Sequence, residues 1–105
     1  MPLLQHIMTP DGWACFQAEG TSEQSSRNVT LAEEGFIHCS YPEQLEATIA
    51  RFYDDLPDIV VVTLDPDLIE AEVKEEPAAD GTLFPHVFGP LPIGAVVDVT
   101  HRRKG

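Results

Sequence analysis

Three histidines stand where an imidazole side chain could act on a bound molecule. His6 and His38 lie in short apolar segments, and His86 lies in the segment FPHVFGP, between aromatic residues and prolines. An imidazole titrates near neutral pH and both donates and accepts hydrogen bonds, so an inward-facing histidine needs a partner or a ligand. One such histidine alone is more often a core residue bonded to the main chain. Three together favour a shared pocket for an organic ligand.

Two other kinds of chemistry fit these residues less well. The histidines lack the helical i, i+4 spacing and the close strand spacing of recognisable zinc ligands, so no metal is expected. His38 and Cys39 are neighbours on a predicted strand and point to opposite faces, so His38 is poorly placed to activate the Cys39 thiol. We expect Cys15 and Cys39 to be reduced and mostly buried, and His101, beside a basic tail, to be exposed.

The elements that carry the first histidine are a strand and a short helix. Residues 3–8 are apolar and alternate, which predicts a strand with His6 on an inward face. Thr9 is a predicted N-cap with Pro10 as the first helical residue, and the helix is expected to stop near Gly20. The strand therefore delivers the imidazole toward the core.

The second histidine follows a loop and a brief helical turn. Residues 21–28 are polar and predict a loop, and Thr30 and Glu33 have the spacing of a capping box. Residues 36–40 then predict a strand in which Phe36, His38 and Ser40 share one face. This face is the second wall of the expected pocket.

The strongest helix prediction covers residues 41–55, where apolar residues recur at helical spacing after the capping pattern Ser40 to Glu43. Residues 59–64 form a β-branched run that is typical of a central strand buried on both faces.

The last third of the chain carries a glutamate-rich segment and two further extended pieces. Residues 68–76 predict a turn and an edge strand, 77–81 a turn, 82–88 an extended segment and 95–100 a closing strand. We expect the carboxylates of this edge strand to face solvent, with the alternative that one of them projects into the pocket. They are Glu70, Glu72, Glu75 and Glu76.

Length and composition predict one compact α+β domain over residues 1–101, with a basic tail at 102–105. The 105 residues are 43% hydrophobic and carry a net charge of -12. Such an acidic chain lacks the Lys and Arg clusters that bind phosphate backbones, so nucleic acid is an unlikely partner. It has no apolar run near the ~20 residues of a membrane span and no secretory signal pattern. The cytoplasm is the default location.

Several motifs in order along the chain closely resemble the bacterial domain-of-unknown-function family 952. They are QHIMT at 5–9, Trp13, EGFIHCS at 34–40, Gln44, Glu76 and FPHVFGPL at 84–91. The resemblance covers nearly the whole chain. Because that family is grouped by structure with the ADP-ribosyltransferases, it implies a split, mixed β-sheet with flanking short helices that holds NAD in a cleft.

The resemblance also implies roles for individual residues. His6 and His38 would act at the nicotinamide ribose and diphosphate of NAD or ADP-ribose, with Ser40 beside them. Glu76 would be the catalytic residue whose carboxylate charge stabilises an oxocarbenium-like centre. Arg27 is a candidate phosphate contact, and Gly89 would let the backbone approach a ligand. The remaining ligand-binding residues would be Trp13, Phe84, His86 and Phe88.

Two functions from different classes follow. The first is an enzyme of ADP-ribosyl or glycosyl transfer type acting on a nucleotide-like ligand. The second is a noncatalytic module for a small metabolite or a protein partner on the same fold. Transfer of an RNA 2′-phosphate is not expected, because the chain is acidic and lacks the arginine–histidine pair of that branch of the superfamily. The sequence leaves the substrate and the oligomeric state open.

Overall fold

The computed structural model describes residues 2–103. Within that range the strands β1 to β10 span Leu4–Met8, Thr21–Ser22, Gln24–Ser26, Val29–Thr30, Ile37–His38, Asp58–Leu64, Val73–Pro77, Leu83–Val87, Leu91–Pro92 and Val96–Arg103. The helices α1 to α3 span Pro10–Glu19, Leu31–Glu34 and Leu45–Phe52. Short 3₁₀ turns span Pro42–Gln44, Pro66–Leu68 and Ile93–Ala95. No helix in this range has the length and apolar character needed to cross a membrane.

Two three-stranded sheets form the framework and meet at one bridge. The strand orders are β1-β6-β10 and β5-β8-β7. Gln5 in β1 and Ser40, which follows β5, exchange two backbone hydrogen bonds of 2.8 Å. Two small sheets, β2-β9 and β3-β4, lie beside this framework. The sheet is therefore split, as expected.

The strand directions correct one part of the expected architecture. Every strand pairing within residues 2–103 is antiparallel, so the prediction of a mixed sheet is wrong. Residues 78–82 join β7 to β8, a link too short for the crossover between parallel strands. The α+β class is confirmed, and the radius of gyration of 12.7 Å fits one compact domain of this length.

Strand β6 lies at the centre of the core. Val60 and Val62 are buried in the larger apolar cluster, while Ile59 and Val61 face a second cluster that contains Leu45 of α3. Burying side chains of this size stabilises the fold by roughly 1.5–3 kcal/mol each. The prediction that this run is buried on both faces is confirmed.

Two of the three predicted helix starts have their caps. The Thr9 hydroxyl accepts a hydrogen bond of 3.0 Å from the backbone N–H of Gly12, and Gly20 closes α1 with φ 78°. Thr30 and Glu33 exchange the two hydrogen bonds of a capping box at α2. These local signals therefore set the bounds of α1 and α2.

The helix predicted over 41–55 is shorter, because Ser40 still belongs to the sheet. Its backbone pairs with Gln5, which prevents it from capping a helix. Instead, the Tyr41 N–H donates to Gln44 Oε1 over 3.0 Å, and α3 begins only after a 3₁₀ turn.

The segment predicted as a loop at 21–28 is also different. It contains β2 and β3, whose partners are β9 and β4. Polar side chains do not prevent backbone pairing, and Asn28, with φ 63°, makes the tight turn between β3 and β4. The partner of β2 is about seventy residues away in the chain, so a local sequence pattern does not predict this pairing.

The closing strand β10 runs past the expected end of the domain at residue 101. Arg102 and Arg103 pair with Ile59 and Asp58 of β6, so they are strand residues and not a tail. Residues 104 and 105 of the predicted tail lie outside the described range. His101 on this strand is exposed, as expected. Strand β7 lies at a sheet edge, which confirms the predicted edge strand.

Candidate functional site

A cleft of about 710 Å³ opens between one face of the β5-β8-β7 sheet and helix α3. The sheet supplies Phe36, His38, Glu76, Phe84 and His86. The helix supplies Thr48, Arg51 and Phe52 among others. The volume falls within the ~300–1,000 Å³ that is usual for small-molecule sites.

Strand register places two of the three predicted histidines in this cleft. His38 lies directly opposite His86, and Ile37 lies opposite Val87. Because side chains alternate along a strand, the two imidazoles share the open face while Ile37 and Val87 enter the core. The imidazole rings have centroids 5.1 Å apart.

His86 is fixed by a carboxylate on one side and an aromatic ring on the other. Its Nδ1 lies 2.7 Å from Glu76 Oε1, so the Nδ1–H donates and the carboxylate accepts. The Phe36 ring stacks on the imidazole with centroids 4.0 Å apart and planes 10° apart. Within residues 2–103, His86 Nε2 makes no hydrogen bond. This nitrogen is therefore free for a ligand.

His38 forms a second carboxylate–imidazole pair at the rim. Its Nε2 lies 3.3 Å from Glu34 Oε1, and its side chain is 45% exposed. Partial burial, followed by the neighbouring His86, lowers the pKa of His38. The lowered pKa favours the neutral imidazole, which can accept as well as donate a hydrogen bond.

His6 does not reach the cleft, which contradicts the expected meeting of three imidazoles. The side chain is 2% exposed, and its Nδ1–H donates to the His38 carbonyl oxygen over 2.6 Å. Burial lowers the pKa of His6 to about 4. Strand β1 turns the opposite face, with Gln5 and Ile7, toward the cleft. His6 is a buried structural group, not a group that contacts a ligand there.

The cleft contains no activated nucleophile among the described residues. The Ser40 hydroxyl lies at the cleft wall, as expected, but is 3.2 Å from Thr48 Oγ1. Cys39 is buried, as predicted, and burial raises the pKa of its thiol to about 12. Cys15 is exposed on α1, so the expectation that both thiols are buried is wrong for it.

Four predicted ligand-binding residues lie outside the cleft lining, and two of them, Trp13 and Arg27, belong to other parts of the fold. Trp13 packs against the core and makes an edge contact with Phe16 at 5.8 Å, because the spacing of the two residues puts both on the inner face of α1. Arg27 forms two hydrogen bonds of 2.6 and 2.9 Å with Asp55 and lines a separate groove of about 510 Å³. The guanidinium of Arg27, which was expected to contact a phosphate, is therefore already bound to the Asp55 carboxylate.

The FPHVFGP segment divides between the cleft and the packed interior. Phe84 lines the cleft with His86. Phe88 lies on the same sheet face, with its ring 5.2 Å from Lys74 Nζ, but outside the cleft lining. Gly89 is buried, and a Cβ at this position would approach Ala71 Cβ to 2.6 Å. Gly89 therefore permits close packing of the chain, not the approach of a ligand.

Three residues of the cleft have positions or contacts that the sequence pattern does not predict. Phe36 shares the alternation of His38, but the pattern does not show that its ring stacks on His86. Arg51 and Asp80 come from α3 and the β7-β8 turn, and only the fold brings them to one cleft.

The arrangement suits a planar ligand and proton exchange at its edge. Aromatic rings provide stacking surfaces, and an imidazole held by a carboxylate presents its second nitrogen to a ligand. Charged side chains in the lining are Arg51, Glu43, Glu76 and Asp80. Within residues 2–103 no group of three or more His, Cys, Asp or Glu residues is arranged to hold a metal ion.

Fold and site define a class: a small α+β domain with split antiparallel sheets and a cleft flanked by two carboxylate–imidazole pairs. The model of the family described as protein of unknown function, DUF952, matches residues 7–99, and the chain belongs to this family. The predicted family membership is confirmed.

Solved structures of one relative share this fold. The X-ray structure of protein CC0527 from Caulobacter crescentus is 26% identical, with a TM-score of 0.82 over 94% of this chain and 84% of that chain. The solution NMR structure of CC0527 is 27% identical, with a TM-score of 0.77 over 95% and 84%. No curated protein matches the chain.

Proposed function

We propose that the cleft binds a small nucleotide-like ligand, with NAD and ADP-ribose as the first candidates, and that the Glu76–His86 pair contacts the ligand. One observation carries this proposal. Within residues 2–103, the imidazole of His86 is 11% exposed, is fixed through Nδ1 and has no partner at Nε2, in an aromatic-walled cleft of about 710 Å³. His86 Nε2 is not among the fully buried unpartnered atoms of residues 2–103, so this nitrogen is accessible from the cleft and can accept a hydrogen bond from a ligand.

The walls favour a ligand that contains a planar ring. Phe36 and His86 form a continuous stacked pair, and Phe84 lines the same face of the sheet. Stacking on such rings contributes about 0.5–1.5 kcal/mol beyond the area buried. A nicotinamide or adenine ring satisfies this requirement and also offers nitrogen atoms to His86.

The enzymatic form of the proposal is cleavage or transfer at the ribosyl carbon. Glu76 uses Oε1 to hold His86, and its Oε2 makes no hydrogen bond within residues 2–103. This oxygen is available to stabilise positive charge that develops on the ribose as nicotinamide leaves and an acceptor hydroxyl or water attacks. His86 would take up the proton that the acceptor loses.

The noncatalytic form is a ligand-binding module on the same cleft. It is favoured because neither the Ser40 hydroxyl, which contacts Thr48, nor the Cys39 thiol, which faces the core, is activated as a nucleophile. Ligand binding is common to both forms, and product analysis separates them.

The test is thermal unfolding with NAD, ADP-ribose and nicotinamide mononucleotide. A ligand at ten times its Kd stabilises the fold by about 1.4 kcal/mol, which raises Tm by roughly 6 °C in a domain of this size. His86→Ala should abolish the shift, and the matched control His101→Ala should retain it. Release of nicotinamide from NAD would identify the enzymatic form. An unchanged Tm for the wild type with all three compounds at several millimolar would refute the proposal.

A further inference from the structure

The distribution of positive charge singles out one cleft residue. Residues 2–103 contain five Lys and Arg side chains, and four of them form ion pairs with carboxylates. The pairs are Arg27–Asp55 at 2.6 Å, Lys74–Glu72 at 3.3 Å, Arg102–Glu46 at 2.6 Å and Arg103–Asp58 at 3.6 Å. The fifth cation, Arg51, forms no such pair and lines the cleft. Among the five cations of residues 2–103, Arg51 is the one with no carboxylate oxygen within ion-pair distance.

The surroundings of Arg51 hold its guanidinium without neutralising it. The guanidinium carbon lies 5.2 Å from the centroid of the Phe52 ring, which also lines the cleft and is 58% exposed. An aromatic face attracts a cation but leaves its N–H groups free to donate. Arg51 therefore presents unpaired donors to whatever occupies the cleft.

We infer that Arg51 is the anion-binding residue of the cleft and that the ligand is an aromatic ring compound with an anionic group, a carboxylate or a phosphate. This inference rests on the proposed function. The ring stacks on the face that carries Phe36 and His86, and the anionic group receives the hydrogen bonds of the guanidinium. The planar fork of an arginine fits either anion through two parallel hydrogen bonds.

Two carboxylates limit how much negative charge the cleft accepts. Glu43 and Asp80 also line it, and the charge of Arg51 is one of the weaker influences that lower the pKa of Asp80, after hydrogen bonds from Thr82. A single guanidinium beside two carboxylates favours one compact anion. A triphosphate would place further charge against Glu43 and Asp80. The group that Arg51 binds is therefore expected to be one carboxylate or one phosphate, and in NAD or ADP-ribose it would be one phosphate of the diphosphate.

Matched ligand pairs test the inference. The affinity for nicotinate, compared with that for nicotinamide, shows whether the cleft binds a carboxylate. The affinity for nicotinamide mononucleotide, compared with that for nicotinamide riboside, shows whether it binds a phosphate. NMR or calorimetric titration of the wild type should show the anionic member of at least one pair binding up to about fivefold tighter, the range for an exposed ion pair. Arg51→Gln should remove the preference, Arg51→Lys should keep part of it, and the control Arg103→Gln should keep all of it.

The outcomes separate this inference from the proposed function. If both members of each pair bind the wild type equally and His86→Ala abolishes binding, the ring site stands and the role of Arg51 is wrong. If Arg51→Gln still prefers the anionic member of a pair, the role of Arg51 is also wrong. If no member of either pair binds the wild type, the ring site and the role of Arg51 both fail.

Discussion

His6 and His86 have the same kind of hydrogen bond in two different regions. In the β1-β6-β10 sheet, the Nδ1–H of His6 donates to a main-chain carbonyl over 2.6 Å, and the ring is 2% exposed. In the β5-β8-β7 sheet, the Nδ1–H of His86 donates to the Glu76 carboxylate over 2.7 Å, beside an open cleft. The difference lies in what surrounds the second nitrogen. Protein encloses Nε2 of His6, whereas Nε2 of His86 belongs to a residue of the cleft wall.

The comparison shows that strand position alone does not make a histidine functional. Both residues lie on strands, but the side chain of His6 is enclosed by the protein whereas that of His86 lines the cleft. A buried imidazole that reaches only the main chain stabilises the fold and stays neutral, because burial lowers the pKa of His6 to about 4. An imidazole oriented by a carboxylate can accept a proton at the cleft. Four predictions test this separation.

The largest effect should come from removing the buried ring. His6→Ala creates a cavity and removes the donor to the His38 carbonyl, so we expect a loss of about 3 kcal/mol in the free energy of unfolding. His86→Ala should cost only about 1 kcal/mol, because water can solvate Glu76 in its place. Urea denaturation monitored by circular dichroism measures both values. Equal losses for the two variants would contradict the contrast between His6 and His86. His101→Ala is the control, and we expect little change in its free energy of unfolding.

The second prediction concerns pH. His6 has a pKa of about 4 when folded and about 6.5 when unfolded, so protons bind preferentially to the unfolded chain between these values. Its contribution to stability is complete above pH 6.5 and is lost as the pH falls toward 4. We expect the stability difference between wild type and His6→Gln to shrink by about 3 kcal/mol over this range.

Urea denaturation at several pH values between 4 and 7.5 measures this difference. The lowered pKa of His38 acts in the same direction in both proteins and cancels in the comparison. Parallel stability curves for wild type and His6→Gln would show that His6 does not resist protonation in the folded state.

Local sequence signals predicted the elements whose partners are close in the chain. Thr9 and Gly20 bound α1, and the capping box of Thr30 bounds α2. Ser40 has the same type of capping signature but pairs with Gln5, thirty-five residues earlier, so tertiary structure overrides the local pattern. Antiparallel pairing throughout likewise depends on contacts between distant segments, which one sequence does not reveal.

The site was predictable to the extent that alternation along strands controls it. His38 and His86 share a face because each strand alternates, and Glu76 joins them from the neighbouring strand. His6 and Arg27 were misplaced for another reason. Residue type indicates what a side chain can bind, but not that a main-chain carbonyl or Asp55 already binds it.

The third prediction tests whether the end of the open sheet is packed or reserved for a ligand. Gly89→Ala places a Cβ 2.6 Å from Ala71 Cβ, so the backbone must shift, and we expect a loss of about 2 kcal/mol. Gly94→Ala is a matched control, since a Cβ there meets nothing within 4 Å. Thermal and urea unfolding measure both variants. If Gly89→Ala is as stable as the wild type but does not bind ligand, Gly89 serves the ligand site and not the packing of the chain.

The smallest effect, and the sharpest test of the open region, is the coupling between Glu76 and His86. The two side chains are 40% and 11% exposed, so solvent weakens their interaction, and a double-mutant cycle should give about 1 kcal/mol. Glu76→Gln, His86→Ala and the double variant supply the cycle by urea denaturation. The same variants should lose ligand-induced stabilisation nearly in full, because Glu76 orients the nitrogen that meets the ligand. If coupling exceeds about 3 kcal/mol while ligand binding persists, the pair is structural like His6, and the contrast between the two sheets disappears.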